Sequence, residues 1–143
     1  VFVARQLVKH KFLRWNEISR RYVDSEPEFY EPDEWRGRSA DKKQGSEGVV
    51  KSNANIFYHN TQSLMTYNQL LDEGVAPEQA RMVLPQSMMT EWYWSGSLDA
   101  FADMCKLRCK PDTQAETVEV AWEIDCSMVK LFPVSWRALR ENE

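Results

Sequence analysis

Apolar positions along the chain change their period several times, and each change marks an element. Over residues 1 to 22, Val, Phe, Trp and Tyr recur among basic residues, and Phe12, Leu13, Trp15 and Ile18 alternate with charge. That is the pattern of a half-buried extended stretch, breaking near Asn16 to Ser19. From Ser25 to about Asn53 the periodicity is lost, and a polar segment with Pro27, Pro32, Gly37, Gly45 and Gly48 reads as a long surface loop. From about Asn55 to Glu73, Ile56, Phe57, Leu64, Tyr67, Leu70 and Leu71 form a helical stripe that Gly74 caps. Pro77 opens a shorter helix to Leu84, with Glu78 in its first turn, Arg81 on it and Pro85 ending it.

Ser87 to Ser95 places Met88, Thr90, Trp92 and Trp94 on one parity, which predicts a buried strand that Gly96 turns. Ser97 then caps a helix in which Leu98, Phe101, Ala102 and Cys105 fall at i, i+3, i+4 and i+7, and which delivers Arg108 at its end. Thr113 and Glu116 match a capping box, opening a helix to about Leu131 with Val118, Ala121, Trp122 and Val129 as its apolar face. Pro133 and Ser135 start a terminal helix. The tryptophans at 92, 94 and 122 and the Met88-Met89 pair are expected in the core. Long helices around few strands, without regular alternation, predict an α+β fold. Residues 1–143 are expected to form a single domain.

Composition narrows the class. Among 143 residues, 43% are hydrophobic, Trp, Tyr and Phe number 6, 5 and 6, and Gly and Pro are few, which excludes a disordered chain. No apolar run approaches the roughly 20 residues of a membrane span, and Arg5, Lys9 and Lys11 near the start come without the apolar block of a signal peptide. A cytoplasmic protein with no membrane partner is expected. Cys105, Cys109 and Cys126 are odd in number and have neither a Cys-x-x-Cys pair nor a nearby histidine, so reduced thiols and no metal site are expected. The chain enters its pattern directly at Val1, so an upstream portion is expected to be missing.

Charge is sorted. Residues 1 to 22 hold six Lys or Arg against Glu17 alone, whereas residues 23 to 36 hold Asp24, Glu26, Glu28, Glu31, Asp33 and Glu34 against Arg36. A basic run is often only a solvated face. Here its basic positions alternate with apolar ones, which suits small anionic ligands better than a flexible arm laid on nucleic acid.

Lys9-His10-Lys11, followed after seven residues by Ser19, resembles the signature of flavin-dependent thymidylate synthases, normally Arg-His-Arg and then Ser at that spacing. Gln6 precedes it at the family's spacing, and Asn16-Glu17-x-Ser19-x-Arg21-Tyr22 looks like the family's Asn-Glu-x-Ser-x-Arg-Tyr. Ala80-Arg81-x-Val83-Leu84-Pro85 resembles the helix bearing a nucleotide-binding arginine, and Leu107-Arg108 with Gln114 and Glu116 resembles the last conserved stretch. On this resemblance the chain is the C-terminal larger part of such a subunit, with a central antiparallel sheet flanked by several long helices.

The resemblance implies an enzyme that converts dUMP to dTMP, with 5,10-methylenetetrahydrofolate as carbon donor, NADPH as reductant, FAD carrying the hydride and no cysteine nucleophile. It implies that Gln6, Lys9, Glu17, Ser19, Arg20, Arg21, Arg81 and Arg108 surround dUMP, with Ser19 and Arg20 acting partly through backbone N–H groups. Arg108 is the implied catalytic residue, contacting the pyrimidine and favouring ionisation at N3. FAD contacts are implied at Lys9, His10, Lys11, Glu17, Ser97, Leu98, Asp99 and Asp103. A homotetramer is implied, in which a neighbouring subunit supplies Arg81. Lysine at 9 and 11 keeps the charge of the usual arginines and gives up their planar fork.

Read alone, His10 and His59 are surface or satisfied histidines, Glu17 a solvated acid, and Arg108 a complement to a helix dipole. Two other readings stand beside the enzyme. One is a degenerate non-catalytic relative that binds nucleotide or nucleic acid, whose binding would depend steeply on salt. The other is the cysteine-dependent thymidylate synthase, against which stand the short chain and the lack of a Pro-Cys-His setting.

Overall fold

Helices form where local caps and a continuous apolar stripe coincide, and a computed structural model describes them within residues 1–20, 22, 25–41 and 45–141. The element order is α1 (Phe2–Leu7), β1 (Leu13–Glu17), β2 (Trp35–Arg38), β3 (Ser46–Val50), α2 (Ile56–Asp72), α3 (Pro77–Ala80), a 3-10 turn (Arg81–Val83), β4 (Trp92–Gly96), α4 (Leu98–Arg108), α5 (Ala115–Leu131) and α6 (Pro133–Glu141). Strands pair in two two-stranded antiparallel sheets, β1 with β4 and β2 with β3, and the α+β class follows. By contacts the chain divides into two compact units, one of residues 1–2, 16–35 and 51–93, the other of residues 3–15, 36–50 and 94–143.

In the first unit, Asn55 Oδ1 accepts the Tyr58 N–H at 2.9 Å and starts α2. Gly74, at φ +81, ends it, with its N–H on Leu71 O at 3.0 Å and that of Val75 on Leu70 O at 2.9 Å. This paired closure needs the left-handed conformation that glycine adopts without strain. The buried line of α2 runs through Asn60 and Tyr67. Phe57, expected on that face, is 66% exposed, because it lies one step off the Ile56, Asn60, Tyr67 line. Buried Asn60 is satisfied on both sides: its Nδ2 donates to Glu31 Oε1 at 3.4 Å and its Oδ1 accepts the Ser87 hydroxyl at 2.7 Å.

The alternation of Met88, Thr90, Trp92 and Trp94 is borne out: all four are half-buried, while Met89, Glu91, Tyr93 and Ser95 between them are exposed. The core position expected for Met89 is therefore corrected; it takes the outward parity. The segment expected as a loop from Ser25 is also ordered in part. Phe29 bridges Met88, and the Met89 N–H donates to Glu28 O at 2.7 Å.

In the second unit, residues 3 to 7 are helical and not extended. Ala4 and Leu7 are both buried, three residues apart, which is a helical spacing beneath a composition that favours strand. The expected 25 to 53 loop contains the β2–β3 hairpin. Its exposed strands carry little apolar alternation, so periodicity did not reveal them. Gly37 is required there, since a Cβ would lie 2.5 Å from Glu47 O.

Helices α4, α5 and α6 pack on one another around Ala102, Met104, Cys105, Thr117, Ala121 and Trp136. Trp136, 1% exposed, donates its indole N–H to Asp125 Oδ1 at 2.7 Å, and Arg140 Nε donates to the same oxygen at 3.0 Å. Trp122 and Val129 are about half exposed, at 53% and 52%, against the core role expected for Trp122. The buried line of α5 passes through Thr117 and Ala121, and Trp122 falls about 100° around the helix from Ala121. The expected capping box does not form: the N-cap is Gln114, and the Thr113 hydroxyl donates to Leu107 O at 3.3 Å.

Candidate functional site

In the second unit, α4 carries Arg108 in its last turn, and α1 with the turn after it carries Gln6 and His10. Arg108 Nε donates to His10 Nε2 at 2.9 Å, and Arg108 Nη2 donates to the Gln6 carbonyl at 3.2 Å. Accepting at Nε2 makes His10 a neutral imidazole with its proton on Nδ1. Burial, and then the Arg108 charge, hold the His10 pKa below the ordinary imidazole value. Burial also lowers that of Arg108, which remains a cation at any physiological pH.

The rings continue the cluster. Trp94 lies 6.5 Å from His10, 5.6 Å from Trp15 and 5.4 Å from Phe101, centroid to centroid, the last two near-perpendicular at 74° and 73°. Lys9 and Lys11 are exposed on either side of His10, and Phe12 is 86% exposed at φ +64, an uncommon conformation for an aromatic residue. Lys9, His10 and Lys11 therefore lie in the turn before β1, not on a strand as the alternation implied. Exposed ammonium groups at Lys9 and Lys11, in the turn that carries His10, suit an anionic group.

Further along α4, the Ser97 hydroxyl and the Ala100 N–H hold the Asp99 carboxyl below its ordinary pKa. Leu98 is half-buried, and the exposed Asp103 stands 3.7 Å from Lys106. Glu116 is paired with Arg36 of β2, whose Nε also donates to Ser46 Oγ at 2.8 Å. Burial pushes the Glu116 pKa up, and the Arg36 hydrogen bond and charge outweigh it, leaving a net lowering. Sequence reading did not find Arg36, which is 80 residues from its partner.

In the first unit, the Thr90 hydroxyl donates to Glu17 Oε1 at 2.6 Å. Thr90 was read only as a packing residue, although its place on the inward parity was the available signal. Ser19 O accepts the Tyr22 N–H at 3.0 Å. The Arg20 guanidinium turns back on its own chain, donating to Ser25 O, to Ser25 Oγ at 3.5 Å and to Glu26 O at 3.5 Å. A role for residue 20 through its backbone is compatible with that. Arg21 lies outside the described residues. Arg81 is exposed on the 3-10 turn, and its guanidinium has no hydrogen-bond or ion-pair partner among the described residues.

The Cys105 and Cys109 thiols are poor nucleophiles. Burial pushes Cys105 up to about 12 and raises Cys109 as well, and among the described residues the cysteines are free. Also among the described residues, no cluster of three or more His, Cys, Asp or Glu could hold a metal, and no helix is long and apolar enough to cross a membrane.

Residues 1–134 match the sequence profile of the thymidylate synthase complementing protein. The chain belongs to this family. A flavin-dependent thymidylate synthase of Thermus thermophilus is 37% identical over 99% of the chain, and one of Dictyostelium discoideum is 33% identical over 96%. These alignments take in 54% and 48% of those relatives, so the chain spans about half the length of the relatives it matches. A crystal structure of the UMP/dUMP methylase PolB from Streptomyces cacaoi bound with 5-Br dUMP superposes with a TM-score of 0.80 at 28% identity, covering 96% of this chain and 65% of that one. The same methylase bound with 5-Br UMP gives 0.83, covering 98% and 70%.

Proposed function

We propose that this chain is the C-terminal part of a flavin-dependent thymidylate synthase subunit, a methyltransferase that converts dUMP to dTMP. The observation that carries this reading is Arg108. Its side-on edge, Nε and Nη2, is occupied by His10 and Gln6, which leaves the end-on pair of N–H groups for two adjacent acceptors on a ligand. A pyrimidine offers such a pair at N3 and a neighbouring carbonyl.

Arg108 would bind the ring there and stabilise the negative charge that N3 ionisation places on it, raising electron density at C5 for attack on the one-carbon unit. Arg81 and Arg21 would bind the phosphate through charge-assisted pairs of about 1.5 to 3 kcal/mol each. Gln6, Lys9, Glu17, Ser19 and Arg20 complete the nucleotide site. Lys9, His10, Lys11 and Glu17, with Ser97, Leu98, Asp99 and Asp103, would hold FAD, which when bound supplies the hydride. NADPH is the reductant and 5,10-methylenetetrahydrofolate the carbon donor. The assembly is a homotetramer with Arg81 contributed by a neighbour. High thiol pKa values at Cys105 and Cys109 support a route without cysteine addition.

The full-length protein, purified and examined for a flavin absorption band, is assayed for methylation of dUMP with methylenetetrahydrofolate and NADPH. UMP is run in parallel, because the Streptomyces relative is named for both nucleotides. Lack of both flavin and turnover overturns the proposal; turnover of UMP alone reassigns the substrate.

A further inference from the structure

The two contacts of Arg108 do different things. The Gln6 carbonyl is backbone and accepts at any pH, whereas His10 accepts only while Nε2 lacks a proton. A guanidinium on a flexible stem reads a planar ligand only if its own plane is fixed. Here the plane is fixed by two acceptors on one edge, and His10 lies with its ring centroid 6.5 Å from that of Trp94 and its backbone N–H on Leu7 O at 3.2 Å.

We propose that His10 is a positioning residue for Arg108: its neutral Nε2 orients the guanidinium so that the end-on edge faces a pyrimidine, and protonation of His10 releases it. This rests on the reading of Arg108 as the residue that contacts the ring, and it gives the imidazole a task beyond bordering a flavin. Arg108 is the charge set against His10 on α4. Elsewhere on that helix Asp103 stands near Lys106 and Asp99 is engaged by Ser97. Arg5 on α1 and Lys9 and Lys11 in the turn are exposed, and β4 meets the ring through Trp94 and carries no charge. The surroundings of His10 therefore favour its neutral form. The Arg108 bond forms above the His10 pKa and is lost as pH falls through it.

His10→Gln keeps an acceptor near the Nε2 position and cannot titrate, whereas His10→Leu keeps bulk alone. In the full-length protein, kcat/KM for dUMP is measured from about pH 5 to 9. His10→Leu is expected to lose about ten- to hundred-fold, as for one hydrogen bond to a charged group. His10→Gln is expected to exceed His10→Leu by about tenfold and to lack the parent's acid limb. In nitrogen NMR the His10 signals are assigned by their loss in His10→Gln. The spectra should show Nε2 of His10 unprotonated, and Arg108→Met should raise the pH at which His10 titrates. A fully active His10→Leu, a His10→Gln no better than His10→Leu, or a proton on Nε2 at neutral pH overturns the proposal. If the NMR result holds while the parent methylates no pyrimidine nucleotide, the His10–Arg108 relationship is upheld and the substrate reading alone fails.

Discussion

Thr90 donates its hydroxyl hydrogen to Glu17 Oε1 at 2.6 Å, joining two residues 73 positions apart. Glu17 is exposed, and the hydroxyl restricts the rotamers open to its carboxylate. Replacing Thr90 with Val keeps the shape and removes the donor. Thr90→Val is expected to reduce kcat/KM for dUMP by about three- to tenfold, the range of a neutral donor to an exposed charge. Thermal stability should be nearly unchanged. Steady-state kinetics beside a melting curve would check both, and unchanged kinetics would remove Thr90 from the site.

Arg108→Ala removes the end-on fork together with both donors to His10 and Gln6. Turnover is expected to fall by about a hundredfold or more, as when a preorganised donor to developing charge is deleted. Far-UV circular dichroism should remain that of the parent, since Arg108 is only half-buried. Arg108→Lys restores charge without the planar pair and should recover little.

Asp125 satisfies the indole N–H of fully buried Trp136 and pairs with Arg140. Asp125→Leu leaves that N–H without an acceptor and Arg140 without its carboxylate. The expected loss is about 2 to 3 kcal/mol of unfolding free energy, read as a lower urea midpoint. Asp125→Asn, which keeps an acceptor, should lose roughly half as much.

Cys105 is buried with its pKa raised from 9.0 to about 12, and Cys126 is exposed. At neutral pH a thiol reagent should label Cys126 rapidly and Cys105 only on unfolding. In the unfolded chain Cys105 ionises near its ordinary value, while in the folded chain it resists. Its contribution to stability is therefore present below pH 9 and lost as pH rises from 9 toward 12. Cys105→Ala should show a shallower alkaline loss of stability in urea titrations. An equal slope would refute the assignment.

Helices α2, α4, α5 and α6 were legible because their information is local: helical apolar spacing, the Asn55 cap and Gly74 stop of α2 and the proline start of α6 act within a few residues. Parity alone sorted the inward and outward side chains around β4. Local information also misled. Val and Phe near the start argued for a strand where Ala4 and Leu7 pack a helix, and Trp122 was counted inward although the helix turns it outward. The β2–β3 hairpin was hidden because exposed strands need no apolar alternation.

The same division holds for the candidate site. Motif spacing alone named Gln6, His10, Glu17, Arg81 and Arg108, since each belongs to a short run of distinctive residue types. It did not show that His10 accepts from Arg108, 98 residues away, that Thr90 engages Glu17, or that Arg36 pairs with Glu116. Those partnerships depend on where the backbone brings side chains together and on which lone pair faces which proton. A motif lists donors and acceptors, and only the tertiary structure chooses their partners, because a hydrogen bond exists within a few tenths of an ångström and leaves no period along the chain.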